Sequence, residues 1–239
     1  AIEAIGTKVV TFSSAGVAIN ASRVSYVNTT GNTWTASYTA VGSDTDGAVT
    51  YSIVVGDLAG NPGVAVTTGT GSVTFDDTDP ARTSVIVASN NSLVTHAKSG
   101  NAVTVELTTD VAVSQPVVVF KSGGAALNNA SGRVITYTNT NSPNKTEWSA
   151  AYTVDAADTD GLVSFDIDFS DLAGNAAPTV TSVTDTSSVV VDTTAPTLTS
   201  VEIASSFSTI TQASINDTIK INFVSNEIIA DPAADATNL

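Results

Sequence analysis

Short runs of alternating apolar and polar residues, broken by turn residues, recur along the whole chain. In GLVSFDIDF (161–169), Val163, Phe165 and Ile167 fall on one side, and Asp166 and Asp168 fall on the other. Successive side chains point to opposite faces of a β-strand, so this pattern predicts a strand with one buried face. No stretch sustains the spacing of an amphipathic helix. We therefore expect an all-β chain.

About seven such strands are predicted between residues 83 and 191. Turn residues separate them every ten residues or so, which is typical of an immunoglobulin-like (Ig-like) β-sandwich. Trp148, Ala150 and Tyr152 alternate along one strand, so we expect their side chains to share the core. The predicted strands are Thr83–Ser89, Ala102–Leu107, Pro116–Phe120, Arg133–Thr138, Glu147–Val154, Gly161–Phe169 and Ser187–Val191.

The chain also repeats itself with a period of about 115 residues. DTDGAVTYSIVVGDLAGN (44–61) matches DTDGLVSFDIDFSDLAGN (158–175), 114 residues later. DDTDPARTSVIVAS, from Asp76, matches DTTAPTLTSVEIAS, from Asp192. A repeat of this length predicts tandem units. We expect one complete unit at 76–191, the C-terminal part of a unit at 1–75, and the N-terminal part of a further unit at 192–239.

Two explanations of the incomplete ends stay open. The chain is either an excerpt from a longer tandem array, cut out of phase, or a subunit whose tail completes the open head of the next molecule by strand donation. We favour the excerpt. In both cases each end piece lacks strands of the complete unit, so each is expected to expose an unpaired sheet edge.

Composition excludes several classes of function. Eight Lys and Arg residues stand against 23 Asp and Glu residues, a formal charge of −15, which repels nucleic acid and anionic lipid. The chain has no cysteine and therefore no disulfide, thiol nucleophile or thiolate metal site. No apolar run approaches the ~20 residues of a membrane-spanning helix. We expect no nucleic-acid partner and no direct membrane insertion.

The repeated motifs resemble a known family. DTDG-x-V-x-[YF]-x-I, DLAGN and D-[DT]-T-x-x-P, carried by 158–175 and 192–196 and echoed at 44–61 and 76–80, are similar to the tandem Ig-like repeats of large bacterial surface adhesins and biofilm-type proteins. The resemblance implies an extracellular, cell-surface stalk or filament segment. Its partners would be neighbouring repeats or head-to-tail copies of itself, with calcium at the domain junctions.

Carboxylates in the repeat are candidate calcium ligands. Calcium takes six to eight oxygen ligands, and an Asp-x-Asp-Gly turn supplies two carboxylates. The later glutamate of an EF-hand is missing, so the alternative is that these aspartates cap backbone N–H groups of their own loops. Acids at the junctions would repel one another without a cation. The candidates are Asp44, Asp46, Asp76, Asp77, Asp79, Asp158, Asp160 and Asp192.

The DLAGN segments are predicted to be hairpin turns that are closed by their own side chains. Asp171 and Asn175, like Asp57 and Asn61, can bond the local backbone, and Gly174 can adopt a positive φ.

Catalytic motifs are missing from the sequence. His96 is the only histidine, the matching residue in the next repeat is Gln212, and there is no nucleophile-elbow motif. We therefore expect a protein that is not an enzyme. A loop-mediated module that binds surface glycans or ice is a second alternative. The two tryptophans, Trp34 and Trp148, fall at matching core-like positions, so no exposed aromatic cluster recommends it.

Overall fold

The computed structural model describes residues 5–31, 33–127, 134–206 and 211–229. Within these ranges the regular structure is β-strand, apart from one turn of 3₁₀ helix at Ala21–Arg23. None of these segments forms a helix that is long and apolar enough to cross a membrane. The prediction of an all-β chain is confirmed.

The strands fall into three groups along the chain. The N-terminal unit (residues 5–75) contains β1 (Ile5–Ser14), β2 (Val17–Ala18), β3 (Ser25–Thr30), β4 (Thr33–Ser37), β5 (Gly47–Asp57) and β6 (Val73–Phe75). The middle unit (residues 76–191) contains β7 (Arg82–Ser89), β8 (His96–Ala97), β9 (Ala102–Thr109), β10 (Val117–Ser122), β11 (Ala125–Ala126), β12 (Thr136–Asn139), β13 (Glu147–Thr153), β14 (Gly161–Asp168) and β15 (Val190–Val191). The C-terminal hairpin contains β16 (Leu198–Ser205) and β17 (Ile219–Ser225).

The middle unit is built from two sheets that share one core, as in a β-sandwich. One sheet has the order β12-β13-β9-β7, and the other has the order β11-β10-β14-β15-β8. Inward side chains of both sheets form one buried apolar cluster. The rings of Phe120 on β10 and Tyr152 on β13 lie 4.8 Å apart in that cluster, so the two sheets meet through an aromatic pair.

Alternation along each strand decides which side chains enter this core. Trp148, Ala150 and Tyr152 are buried together, as predicted. On β14, Ile167 is fully buried, whereas Asp166 faces outward and pairs with Lys121. A single hydrophobic face per strand is therefore enough to define the inner side of both sheets.

Each predicted strand of the middle unit has an observed counterpart. The structure adds two strands of two residues each, β8 and β11, which are too short to show a periodic pattern. The last predicted strand, Ser187–Val191, is shorter than expected and begins at Val190. The predicted strand Arg133–Thr138 begins outside the described residues and is observed from Thr136.

The N-terminal unit repeats the aromatic contact between sheets. Its strands form one sheet of order β2-β1-β5-β6 and a separate β3–β4 pair. The ring centroids of Phe12 on β1 and Tyr38 lie 5.0 Å apart. The angle between the two ring planes is 48°, against 50° for Phe120 and Tyr152. The β3–β4 pair therefore packs on its neighbouring sheet as β12–β13 packs in the middle unit.

A tyrosine hydroxyl joins the two layers at matching places. The backbone N–H of Val10 donates to the Tyr26 hydroxyl over 2.8 Å, and that of Val118 donates to the Tyr137 hydroxyl over 3.1 Å. Tyr26 lies opposite Ala36, and Tyr137 lies opposite Ala150. The strand register is therefore the same in both units.

The C-terminal hairpin corresponds to β7 and β9 of the middle unit. Val201 pairs with Phe223 and Ile203 pairs with Ile221, 116 residues after the β7–β9 pairs Val85–Leu107 and Val87–Val105. Among the described residues the N-terminal unit has no counterpart of β7 and β9, and the hairpin has no counterpart of the other strands.

Trp34 departs from the expected core position. Its side chain is 36% exposed, whereas Trp148 is 9% exposed. The Lys8 ammonium lies over the Trp34 ring, 3.6 Å from the centroid. The prediction that both tryptophans occupy core positions is wrong for Trp34, because the strands that cover Trp148 have no equivalent in the described N-terminal unit.

Candidate functional site

The second aspartate of each DTDG motif binds the segment that follows the strands of its unit, and we call these segments the first junction (residues 76–81) and the second junction (residues 192–197). Asp160 Oδ2 accepts the Thr194 hydroxyl over 2.7 Å, and Asp160 Oδ1 accepts the N–H and the hydroxyl of Thr193 over 2.7 and 2.8 Å. Asp46 accepts the Thr78 hydroxyl over 2.5 Å and the Asp77 N–H over 3.0 Å. We call the Asp46–Thr78 and Asp160–Thr194 bonds the junction ties.

Backbone geometry places these carboxylates beside the junctions. Asp46 and Asp160 immediately precede Gly47 and Gly161, whose φ angles are 141° and 138°. A side chain there would meet a neighbouring residue at 2.8 Å, Ala15 in one unit and Gly123 in the other. Glycine is therefore required where the loop turns into β5 or β14. The hydrogen bonds from the junction also keep the pKa of Asp160 below its usual value.

The first aspartate of each motif caps its own loop. Asp44 Oδ2 accepts the Val41 N–H over 3.0 Å, and Asp158 Oδ2 accepts the Asp155 N–H over 2.8 Å. Asp44 also forms a bidentate ion pair with Arg23, at 2.6 and 2.7 Å. The hydrogen bond from Arg23 lowers the pKa of Asp44 to about 2. These aspartates therefore stabilise the loop that presents the junction tie.

The remaining junction acids have separate roles. Asp76 and Asp192 each accept the N–H of the residue two positions later, Thr78 at 3.2 Å and Thr194 at 3.1 Å. This Asx turn fixes the start of the junction. Asp77 packs against the 41–47 loop, since a Cβ placed on Gly42 would lie 2.8 Å from its carboxylate. Asp79 is exposed.

The end of each junction is closed by a reciprocal pair. The Ala81 N–H donates to Asp110 Oδ1 over 2.8 Å, and the Asp110 N–H donates to the Ala81 carbonyl over 3.0 Å. At the second junction Thr197 and Asn226 make the same two bonds, at 2.7 and 2.9 Å. Each junction is therefore hydrogen-bonded to the neighbouring strands and loops at its start and at its end.

The DLAGN turns are closed as predicted. Asp171 Oδ1 accepts the N–H groups of Gly174 and Asn175, and its Oδ2 accepts the Asn175 amide. Asp57 and Asn61 make the corresponding side-chain bonds in the N-terminal unit. Burial pushes the pKa of Asp171 upward, but the bonds from Asn175 and its neighbours outweigh burial and leave that pKa lowered. Gly174 has a φ of 105°.

The candidate calcium ligands divide between the two junctions. No cluster of three or more acidic or histidine side chains suited to a metal ion is found in the described ranges. The visible partners of Asp46 and Asp160 are backbone N–H groups and threonine hydroxyls. These hydrogen bonds favour the alternative in which the aspartates cap backbone and hydroxyl groups. Calcium at the junctions stays a prediction.

An open cleft of about 670 Å³ lies between the middle unit and the start of the C-terminal hairpin. His96, Asp192, Pro196, Glu227 and Ile228 are among the residues that line it. The His96 Nδ1 lies 3.0 Å from the Thr95 hydroxyl, and the exposed His96 side chain lies on the short strand β8.

Comparison with protein-family models and with curated proteins finds no match for this chain. The functional interpretation therefore depends on the geometry of the junctions and of the sheets.

The sequence-based prediction missed the donors to these carboxylates. Thr78, Thr193 and Thr194 lie about 30 residues beyond the aspartates that they bind. The available signal was the joint recurrence of DTDG and of Asp-Thr before the junction proline.

Proposed function

We propose that the chain is a non-enzymatic structural segment of an extracellular stalk or filament, built of Ig-like β-sandwiches. The first support is that the aspartates that recur between the repeats bind the groups of loops and junctions. The motif resemblance supports the cell-surface location, and the acidic net charge of −15 suits a surface exposed to solvent.

The observation that carries this proposal is that the two ends of the middle unit are bonded to each other. On β7, the Val85 carbonyl accepts the Thr184 N–H over 2.9 Å, and the Thr184 hydroxyl accepts the Val85 N–H over 2.9 Å. The Val87 N–H donates to the Ser187 hydroxyl over 3.0 Å. The first strand of the unit and the segment just before its last strand thus hold together directly.

The last strand extends this connection. β15 runs parallel to β8, and its hydrogen bonds join Val190 N to the Thr95 carbonyl and Asp192 N to the Ala97 carbonyl, both over 2.9 Å. Tension applied to the two ends of the unit pulls parallel strands in opposite directions along their axes. The bonds are then loaded together in shear and must break together, which is the arrangement a segment under tension requires.

Force spectroscopy on the full chain, held by handles at its two ends, tests the proposal. About 110 residues lie between Arg82 and Val191, so unfolding of the middle unit should lengthen the chain in one step of roughly 33–37 nm, which is the extended length less the span of the folded unit. Thr184→Val, which removes the hydroxyl bonded to Val85, should lower the unfolding force.

Thr179→Val is the matched control, because the Thr179 hydroxyl bonds Asp168, away from the end strands. A gradual extension without a step, or equal forces for the two variants, would contradict the proposal. Forced unfolding reports the unfolding rate, so both variants are compared at one loading rate.

A further inference from the structure

The β4 strand presents an unpaired edge. Among the described residues β4 pairs with β3, whereas its counterpart β13 pairs with β12 on one side and with β9 on the other. An unpaired edge offers a row of backbone N–H and C=O groups to another strand. The vacant neighbour position corresponds to β9.

The C-terminal hairpin exposes an apolar face that its counterpart buries. Ile221 is 60% exposed and Phe223 is 40% exposed, while the corresponding Val105 and Leu107 of β9 are 1% and 3% exposed. The same contrast extends to Ile219 of β17 and to Val201 and Ile203 of β16. Exposed apolar faces of this kind mark surfaces that bind another protein.

The N-terminal unit has an open apolar pocket where the missing strands would pack. The pocket has a volume of about 100 Å³ and is lined by Ile5, Lys8, Val10, Tyr26 and Trp34, among others. The counterparts of Val10, Tyr26 and Trp34 are Val118, Tyr137 and Trp148, which belong to or pack against the core of the middle unit. In that core β7 and β9 supply Val85, Val87, Val105 and Leu107.

We propose that the C-terminal hairpin of one copy of this chain docks on the N-terminal unit of a second copy. Strand β17 pairs antiparallel with β4, and the completed sheet has the order β3-β4-β17-β16, as β12-β13-β9-β7 has in the middle unit. The proposal rests on the proposed function, since it assigns the stalk or filament segment its partner, another copy of itself.

The middle unit fixes the register of this pairing. On β13, Trp148 lies opposite Leu107, Ala150 opposite Val105, and Tyr152 opposite Val103. The same register places Trp34 opposite Phe223, Ala36 opposite Ile221, and Tyr38 opposite Ile219. Each large apolar side chain of β17 then covers the pocket that its counterpart on β9 covers.

A second copy fits better than the hairpin of the same copy. The Asn175 amide binds the Asp76 carbonyl over 3.1 Å, so the N-terminal unit joins the middle unit just beyond the C-terminal end of β14. Val191 pairs with Gly161, so the hairpin leaves at the other end of that strand. The eight residues of β14 separate the two ends by about 25 Å.

A head-to-tail contact leaves one hairpin and one N-terminal unit free until the chain of copies closes. The contact therefore forms a ring of two or more copies, or an open filament. The wild-type chain should show a mass that rises with concentration in light scattering, to that of a dimer or beyond.

Disulfide trapping between two different single-cysteine variants tests the register. The native chain contains no cysteine, so each introduced thiol is the only one. In the proposed register Thr35 lies opposite Asn222 and Ser37 lies opposite Lys220, the equivalents of Ser149–Glu106 and Ala151–Thr104. These four side chains point away from the core, so cysteine there should leave the fold intact.

Oxidation of two mixtures should give linked heterodimers: Thr35→Cys with Asn222→Cys, and Ser37→Cys with Lys220→Cys. Directly opposed residues have the Cα separation that a disulfide needs. The crossed mixtures, Thr35→Cys with Lys220→Cys and Ser37→Cys with Asn222→Cys, contain the same thiols out of register. They should give about a tenth of the yield or less, because diagonal pairs lie too far apart.

Equal yields in matched and crossed mixtures, or no heterodimer in any of them, would overturn the proposal. So would a chain carrying both Thr35→Cys and Asn222→Cys that forms only an internal disulfide, since the hairpin would then close on its own copy. Wild-type light scattering that shows a monomer at every concentration would overturn it independently of any variant. The force step of the middle unit is measured within one molecule. Failure of the disulfide and light-scattering experiments therefore leaves the proposed function standing, and failure of the force experiment leaves the pairing of copies standing.

Discussion

The Thr194 hydroxyl donates to Asp160 Oδ2 over 2.7 Å, and the Thr78 hydroxyl donates to Asp46 Oδ2 over 2.5 Å. Each bond joins the start of a junction to the loop before the penultimate strand of the preceding unit. Because the two bonds recur with the repeat, the duplicated acidic motif is accounted for by the way each unit holds the chain that leaves it.

Removing the tie at the second junction should loosen that junction. Asp160→Ala deletes the acceptor of three bonds from Thr193 and Thr194, and the N–H of Thr193, which donates to Asp160, should exchange with solvent roughly tenfold faster. Asp168→Ala is the control, because this carboxylate lies at the far end of β14, the strand that follows Asp160, and binds Thr179 instead. Equal exchange in both variants, measured by NMR, would contradict the tie.

Truncation of the same core position should affect the two units unequally. Ile167 is fully buried in the middle unit, so Ile167→Ala should lower its free energy of unfolding by ~2–5 kcal/mol. Its counterpart Ile53 is half-buried, so Ile53→Ala should cost the N-terminal unit less.

Urea denaturation followed by tryptophan fluorescence measures both effects. Trp148 reports on the middle unit and Trp34 on the N-terminal unit, so a Trp34→Phe or Trp148→Phe background isolates each signal. Equal losses at both positions in dilute protein would show that the N-terminal unit has a closed core.

Acid should weaken the loop that carries the first junction tie. Arg23 lowers the pKa of Asp44 from 3.8 to about 2, so the ion pair stabilises the folded state above about pH 4. That contribution is lost as the pH falls through about 2, since protonation of Asp44 breaks the pair. The melting temperatures of the wild type and Asp44→Asn should therefore differ near neutral pH and converge below pH 2.

A pH-independent difference between these two proteins would contradict the assignment of the pair. Hydrogen bonds also lower the pKa values of Asp57, Asp160, Asp171 and Asp185, so the wild type should lose stability in acid at several sites. Only the part that Asp44→Asn abolishes belongs to Asp44, whose pKa is lowered chiefly by Arg23.

Calcium at the junctions is tested by titration calorimetry and by melting with calcium or with EGTA. If the cation bridges the junction acids, binding heat and a higher melting temperature are expected. Asp160→Ala should reduce both effects more than Asp168→Ala. No heat and an unchanged melting temperature would contradict calcium binding and leave hydrogen bonds as the contacts that hold the junctions.

Strand positions and core faces could be read from the sequence because alternation is a local property. Spacing alone predicts that Val163, Phe165 and Ile167 share one face, and all three are buried. The strands β8 and β11 could not be read, since two residues carry no period. The Ig-like identity and the unit boundaries at 75/76 and 191/192 remain predictions.

The candidate site was only half predictable, because its bonds connect distant segments. The sequence predicts that the aspartates are calcium ligands or caps, but it does not show that Thr78 and Thr194 bind Asp46 and Asp160. The exposure of Trp34 escaped prediction for a related reason. A core position is buried only when the strands that cover it are present.

Hydrogen exchange of the wild-type chain at rising concentration tests most directly whether copies complete one another. At micromolar concentration the β4 amides that do not bond β3 should exchange quickly, and so should the β17 amides that do not bond β16. At millimolar concentration both sets should become protected together, to the level of β13 and β9. If β4 and β17 exchange at the same fast rate across that range while β13 and β9 stay protected, the two end pieces do not complete each other.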